Sequence, residues 1–455
     1  MILFLAARPV VAPPATRPVV APPAAPPPGP GPAVPPGSER RPAPRPGPGR
    51  APGGRRGALF APYRRLFGVP GALAFTLAAL PARLATSMLG VSNVVMIALV
   101  RDSYALAGAV SATGVAATAV ASPLLGRLVD RHGQARVAVP AALVFAVGVT
   151  AMLLCVRYDA PAWALFLCCA GSSGLPSTGA MTRARWAALH RDDGAARHTA
   201  NSFEQVVDEV CFMGGPVLAM VLCTALFPEA GLLTAGVLMT AGTLLFAARR
   251  GTEPPVAPRP AAGAAGGSAP LRVPGFPAVL VVFLATGTLF GSLEVATVAA
   301  VDTLGAGAAS SPVLALQAAG SCLAGLVFGA LRPARHPAAG LAAGTCGMAL
   351  GVLPLTAAGS LPVLAVLLFV AGMATAPTMV SGMSLVHRLV PAARLNEGMT
   401  TAYTGLLAGI AAGAAAGGHA VERLGAPAAY WVPAAAGALA AAAALPGLRR
   451  TTRSR

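Results

Sequence analysis

From Tyr63 onward the chain alternates between long apolar runs and short polar turns. A helix rises about 1.5 Å per residue, so an apolar run of about twenty residues crosses a hydrocarbon layer of about 30 Å. Such runs recur twelve times, and the pattern predicts helical spans over 70–99, 104–125, 136–156, 161–183, 200–226, 229–248, 275–300, 309–331, 338–357, 361–385, 396–420 and 427–447. The expected fold class is therefore an all-α membrane protein with twelve transmembrane helices. The stretch 251–272, containing Glu253-Pro254-Pro255, Pro258, Pro260 and the Ala/Gly run to Ser268, is the one interior segment polar and long enough to be a flexible linker. It divides the spans six and six. The organisation read from this pattern is a tail over 1–62, an N-terminal six-helix bundle over 63–250, a cytoplasmic linker over 251–272, a C-terminal six-helix bundle over 273–448 and a basic cytoplasmic tail over 449–455. The N-terminal tail is rich in Pro, Ala, Gly and Arg without apolar periodicity. It cannot bury enough surface to offset its ordering entropy, so disorder is expected there. Its opening Met1–Leu5 is too short for a signal-peptide core and follows no basic residue.

Loop charge orients the spans. Arg55, Arg56, Arg64 and Arg65 precede the first span, and arginines cluster again after the second, fourth, sixth, eighth, tenth and last, including Arg332 and Arg335 after the eighth. The intervening loops hold at most one arginine each, usually beside an acid, as in Arg101-Asp102 and Glu422-Arg423. Arginine near the ends of short loops marks the cytoplasmic side. Both termini are thus expected in the cytoplasm of a multi-pass plasma (inner) membrane protein. Composition agrees: 55% of residues are hydrophobic, 11% are charged and mean hydropathy is +0.69, values that leave too little polar surface for a water-soluble domain. All 33 basic residues are arginine, the usage of a GC-rich genome such as an actinobacterial one. The net charge of +18 would suit nucleic acid, but its placement in tails and alternate loops is that of a membrane protein, and no nucleic-acid partner is expected. The seven cysteines all fall in apolar runs without metal-ligand spacing, and no metal or cofactor is expected.

The turn after the second span reads Gly126-Arg127-Leu128-Val129-Asp130-Arg131-His132-Gly133-Gln134-Ala135-Arg136. Gly126 and Gly133 would let the chain reverse, Asp130 can accept hydrogen bonds from the start of a neighbouring helix, and Arg131 and Arg136 hold the turn at the cytoplasmic face. The spacing G-x-L-x-D-R-x-G-x-x-R resembles the loop between helices two and three of major facilitator superfamily transporters. That resemblance implies two pseudo-symmetric six-helix bundles around a central cavity, rocking to expose it alternately to each side. Support comes from a degenerate echo of the motif at Gly329–His336 and of Pro176 at Pro377, each one half-length further on. Gly214-Gly215-Pro216 in the fifth span resembles the family's antiporter pattern in part, and Gly215 with Pro216 is expected to bend that helix. The fourth span lacks the mid-helix arginine of many drug/proton antiporters. The Gly/Ala run from Ala408 to Gly418 reads as close helix packing.

The candidate chemistry lies in charges inside the spans, each costing about 2.5 to 3.5 kcal/mol on insertion scales. These are Arg83, Glu204, Asp208, Glu209 and Glu294. Arg83 in the first span lies at nearly the depth of Asp208 and Glu209 in the fifth, which predicts an ion pair with one of them, serving either coupling or structure. Glu204, one turn inside the membrane, is expected to latch onto Arg183 or Arg185. Glu294 has no basic partner at its depth. An unpaired carboxyl in an apolar span can exchange a proton near neutral pH, and snorkelling to the outer interface is the alternative. The chain carries no P-loop, zinc-protease pattern or nucleophile with a base, so no catalysis is expected. The reading is a monomeric secondary transporter exchanging a small molecule and protons across the bilayer, with proton-coupled efflux of an apolar or amphipathic compound first. Nutrient uptake, and a non-transporting scaffold or sensor, are the alternatives.

Overall fold

The computed structural model describes residues 55–256, 269–306, 309–331 and 336–453. The expected disorder of residues 1–54, the centre of the linker at 257–268, and Arg332 and Arg335 lie outside these. Every element among the described residues is helical, and eleven helices are long and apolar enough to cross a membrane.

A short helix, α1 (Arg55–Leu66), replaces the last residues of the tail expected to lack structure. It is anchored rather than free: the Tyr63 hydroxyl donates to Leu326 O at 2.8 Å. The N-terminal half continues with α2 (Ala72–Arg101), α3 (Tyr104–His132), α4 (Gln134–Arg157), α5 (Ala162–Ser172), α6 (Thr178–Leu189), α7 (Gly194–Ala225) and α8 (Ala230–Ala248). The C-terminal half holds α9 (Phe276–Thr303), α10 (Ser310–Ala330), α11 (Pro337–Val352), α12 (Leu361–Gly372), α13 (Thr375–Leu389), α14 (Leu395–Leu424), α15 (Ala426–Ala429) and α16 (Trp431–Arg453).

Two expected spans are interrupted. The fourth divides into α5 and α6 because Pro176 has no N–H to give and biases Leu175 away from the helical region, after which Ser177 restarts the helix by accepting from Ala180 N at 3.2 Å. The tenth breaks between α12 and α13, and Pro377 sits in the first turn of α13, where a missing N–H leaves no bond unmade. The two prolines paired by sequence therefore both mark a restart.

The charged motif is not a turn over its full length. Helix α3 runs on to His132, and Gly133 alone reverses the chain, at φ 93°, a conformation that L side chains rarely adopt. Gly126 serves packing: a Cβ there would lie 3.0 Å from Asn396 O and 3.0 Å from the Thr400 hydroxyl of α14.

Each half has its own apolar core. In the N-terminal half Met88, Met96, Phe145, Leu165 and Leu232 pack together; in the C-terminal half Leu289, Leu293, Leu364, Leu368 and Tyr430 do so. The Gly/Ala run packs as expected: Cβ atoms at Gly409, Gly413 and Gly417 of α14 would strike Leu284, Thr288 and Ser292 of α9. Reciprocally, those at Gly287 and Gly291 of α9 would strike Leu406 and Ile410. Backbones this close gain dispersion contacts that lipid cannot match.

Candidate functional site

Helix α2 delivers Arg83 into the N-terminal bundle, where its side chain is 4% exposed. Four residues apart on α7, Glu204 and Asp208 share the helix face turned toward it. Arg83 Nη1 pairs with Glu204 Oε2, and Nη2 donates to the Glu204 carbonyl at 2.7 Å and to Asp208 Oδ1 at 2.6 Å. Arg83 Nε donates to the same Oδ1 at 3.2 Å. The second Asp208 oxygen accepts from Arg183 Nη2 of α6 at 2.7 Å. Glu204, fully buried, also accepts from Trp186 Nε1 at 2.7 Å and the Thr182 hydroxyl at 3.2 Å. Two guanidiniums thus face two carboxylates, and the cluster carries no net charge.

The expected pairing of Arg83 with Asp208 is present; Glu209 is not its partner. The expected latch between Glu204 and Arg183 or Arg185 is absent. The cation on Glu204 is Arg83, while Arg183 has gone to Asp208. Arg185, two residues further on, points to the opposite side of α6. There it donates to Gln134 Oε1 at 2.8 Å, Arg249 O at 2.7 Å, Phe246 O at 3.1 Å and the Thr252 hydroxyl at 2.9 Å, with the Phe246 ring 3.8 Å from its guanidinium carbon. It ties α6 to the end of α8 and meets no carboxylate within ion-pair distance among the described residues. Sequence reasoning missed Thr182 and Trp186, although their spacing of four, flanking Arg183, was a legible polar stripe.

Glu209 is turned about 100° from Asp208 and looks toward the other half. It accepts from the Ser321 hydroxyl of α10 at 2.8 Å and from Gln205 Nε2 at 3.2 Å, with no cation on it among the described residues. Glu294 of α9 is exposed and has no ion pair or hydrogen bond among the described residues. Eleven residues make about three turns, so Glu294 lies on the helix face of Phe283. That face packs on α13 near the helix start, where a Cβ at Gly382 would lie 2.8 Å from the Phe283 ring. Glu294 stands on that face about three turns further along the helix, beyond the point where this packing is seen.

Gly215 and Pro216 do not interrupt α7. Gly215 is buried where α7 crosses α2: a Cβ there would collide with Ser87 and lie 3.2 Å from Leu84 O. Its role is close approach.

The halves meet at the face that bears the arginine-rich ends. Asp130 Oδ1 accepts from Asn396 N at 3.1 Å and Asn396 Nδ2 at 2.7 Å, and Oδ2 from Glu397 N at 2.9 Å. It thereby serves the free N–H groups at the start of α14, as expected of it. Arg131 and Arg136 are exposed at this face. Thr199 donates to Gly329 O at 2.8 Å, and His198 Nε2 lies 2.8 Å from Phe328 O. Ala180 and Ala184 of α6 enter the apolar cluster of the other half with Phe276, Met379 and Met399. The basic face is therefore closed. Beside it, in the connection to α7, His190 stacks on Trp186 at 5.9 Å, and burial holds its pKa below the usual histidine value, with Asp193 opposing the shift in part.

The chain matches the family model of the Major Facilitator Superfamily over residues 75–341 and 313–455. Solved structures share the fold. A bacterial homologue of the iron transporter ferroportin in an outward-facing state aligns with TM-score 0.68 at 14% identity, covering 84% of this chain and 100% of that one. The human organic anion transporter MFSD10 (TETRAN) aligns with TM-score 0.64 at 16% identity, covering 84% and 99%. The transporter FucP in its outward conformation aligns with TM-score 0.61 at 14% identity, covering 82% and 98%. No curated protein matches the sequence. The chain belongs to the major facilitator superfamily, a family of membrane transporters, and is a multi-pass membrane protein.

Proposed function

We propose that the protein is a proton-coupled secondary transporter that exports a small apolar or amphipathic compound by alternating access. The arginine-rich face is read as cytoplasmic, with both termini on that side, so the closed basic face makes this a state shut to the cytoplasm. The observation that carries the coupling is the division of labour on α7. Glu204 and Asp208 are neutralised within their own half, whereas among the described residues Glu209 has Ser321 and Gln205 as partners and no cation. A carboxyl without a counter-ion in an apolar bundle is retained at a cost, which favours a functional role. Separation of the halves on the basic face would take Ser321 from Glu209 and admit water. Proton exchange at that carboxyl would then follow the conformational cycle. Glu294, on α9 of the other half, offers a second site for a proton or for a cationic group on the substrate.

The test is flux in inverted vesicles against a panel of compounds, with and without a pH gradient. Glu209→Gln and Glu294→Gln should abolish the response to the gradient while leaving gradient-independent exchange of the same compound. If both variants keep the full response, the coupling assignment is wrong. Accumulation of a compound in the opposite sense would make the protein an uptake symporter built from the same parts.

A further inference from the structure

At the closed basic face a cavity of about 80 Å³ lies between α7 of one half and α10, α11 and α13 of the other. It is separate from the Arg83 cluster. A water occupies roughly 30 Å³ in the liquid, so the space holds more than one water. Its lining is cationic and rich in donors: Arg197, His198 and Asn201 come from α7, and Ser384, His387 and Arg388 from α13. Neither Arg197 nor Arg388 has an ion-pair partner among the described residues. The nearest acid in sequence, Asp193, is occupied: its Oδ1 accepts from Ala195 N at 3.0 Å and Ala196 N at 2.9 Å.

His387 supplies an independent sign. One ring nitrogen bonds the Met383 carbonyl, while Nε2 is buried without a hydrogen-bond partner. It sits in the field of two guanidiniums, Arg183 and Arg197. Among the described residues, this buried nitrogen has no partner and neither Arg197 nor Arg388 is paired, which is costly as it stands, and an anion in the cavity would relieve all three. With Nδ1–H already given to Met383, a proton on Nε2 would accompany the anion and let the ring donate to it. Asn201 Nδ2 on α7 and the Ser384 hydroxyl on α13, now 3.4 Å apart, add one neutral donor from each side of the junction.

We propose that this cavity binds one tetrahedral oxyanion, a phosphate or sulfate group, through Arg197, Asn201, Ser384, His387 and Arg388. Because its ligands come from both halves, bound anion fastens the basic face shut. The same phosphoryl chemistry could arrive free in solution or on a lipid headgroup.

The experiment is thermal unfolding of the purified full chain with increasing inorganic phosphate or sulfate, at ionic strength held constant with chloride. A second arm uses nanodiscs containing phosphatidic acid or only phosphatidylcholine. Free phosphate should raise the midpoint saturably if the source is the solution; only phosphatidic acid should raise it if the source is a headgroup. Arg388→Gln, at an exposed position, should weaken the response about tenfold or more, the loss expected for one charge-assisted contact. Arg197→Gln/Arg388→Gln should abolish it, and Arg136→Gln, at the same face but outside the cavity, should leave it intact. Spin labels across the basic face should show the closed distance enriched by the anion. The proposal fails if neither source gives a saturable shift, or if the double variant responds as the parent does.

Discussion

Replacing Arg83 by glutamine tests the buried cluster most directly. The substitution removes the ion pair to Glu204, the donor to the Glu204 carbonyl, and two of the three donors to Asp208 Oδ1 and Oδ2. Asp208 keeps Arg183, but Glu204, with no exposed surface, would retain only the neutral donors of Trp186 and Thr182. Leaving one buried charge uncompensated costs about 3–5 kcal/mol, and the buried position gives no reason to discount that for screening. Glu204→Gln in the same background removes the orphaned charge and should recover a large part of the loss, a coupling of about 1–3 kcal/mol. Unfolding of a detergent-solubilised transporter is often irreversible, so the comparison is of midpoints at one fixed heating rate. Trp186 donates to Glu204 and so places an intrinsic fluorophore in the cluster. Arg83→Gln as stable as the parent, or a double variant no better than the single, would refute the pairing and with it the neutrality on which the role of Glu209 depends.

Three further outcomes follow from single contacts. Gly413→Leu places a side chain where even a Cβ meets Thr288 Cα at 2.7 Å, so α9 and α14 must separate and folded yield should collapse, whereas Gly418→Leu, with open space at its Cβ, should be tolerated; size-exclusion profiles compare them. Asp130→Ala removes three hydrogen bonds from the start of α14, a capping loss of about 0.5–2 kcal/mol. It should enlarge the open population at the basic face several-fold, read from spin-label distances between Arg131 and Ala393 positions. His190 binds its proton less readily in the folded chain than in the unfolded one, so stability is fully present above the ordinary histidine pKa of about 6.5 and falls as pH drops below it toward the depressed folded value. His190→Gln should flatten that part of the midpoint-against-pH curve, and an unchanged slope would exclude His190 as its source.

What was legible in the chain divides along a physical line. Run length and arginine placement are properties of one segment against one solvent, and they anticipated the helices and the basic face. The Gly/Ala run of α14 was readable for the same reason, since few purposes in a membrane need so little side chain. Partner choice was not. Treating spans as straight rods put Arg183 and Arg185 at the membrane surface beside Glu204, but the restart after Pro176 resets the phase of α6. It turns Arg183 inward to Asp208 and sends Arg185 to the end of α8. Gly126 was misread because a glycine beside charges looks like a turn, and only the approach of α14 shows what its missing side chain permits. Glu209 and Ser321 lie 112 positions apart and in different halves, so no local pattern could join them.

The distribution of ionic contacts bears on how such a bundle can rock. Among the described residues, the ion pairs of Arg83, Arg183 and Arg101 stay within the N-terminal half, and that of Arg394 with Glu397 stays within the C-terminal half. The polar contacts that join the halves are of another kind and include Tyr63 to Leu326 O, His198 with Phe328 O, Thr199 to Gly329 O, Asn201 to Ser384, Ser321 to Glu209, and Asp130 to the start of α14. A hydrogen bond of this sort contributes about 0.5–1.5 kcal/mol net, or about 1.5–3 where a carboxylate accepts it, and water entering the opened junction can replace it, whereas stripping one partner from a buried pair costs about 3–5 kcal/mol. Strong contacts therefore hold each half rigid, and exchangeable ones hold the halves together. Helix α7 stands on both sides of this division, with Glu204 and Asp208 turned into its own half and Thr199, Asn201 and Glu209 turned toward the other. A proton arriving at Glu209 would alter only the exchangeable set, which is where a change of one charge can shift the balance between open and closed without loosening either bundle.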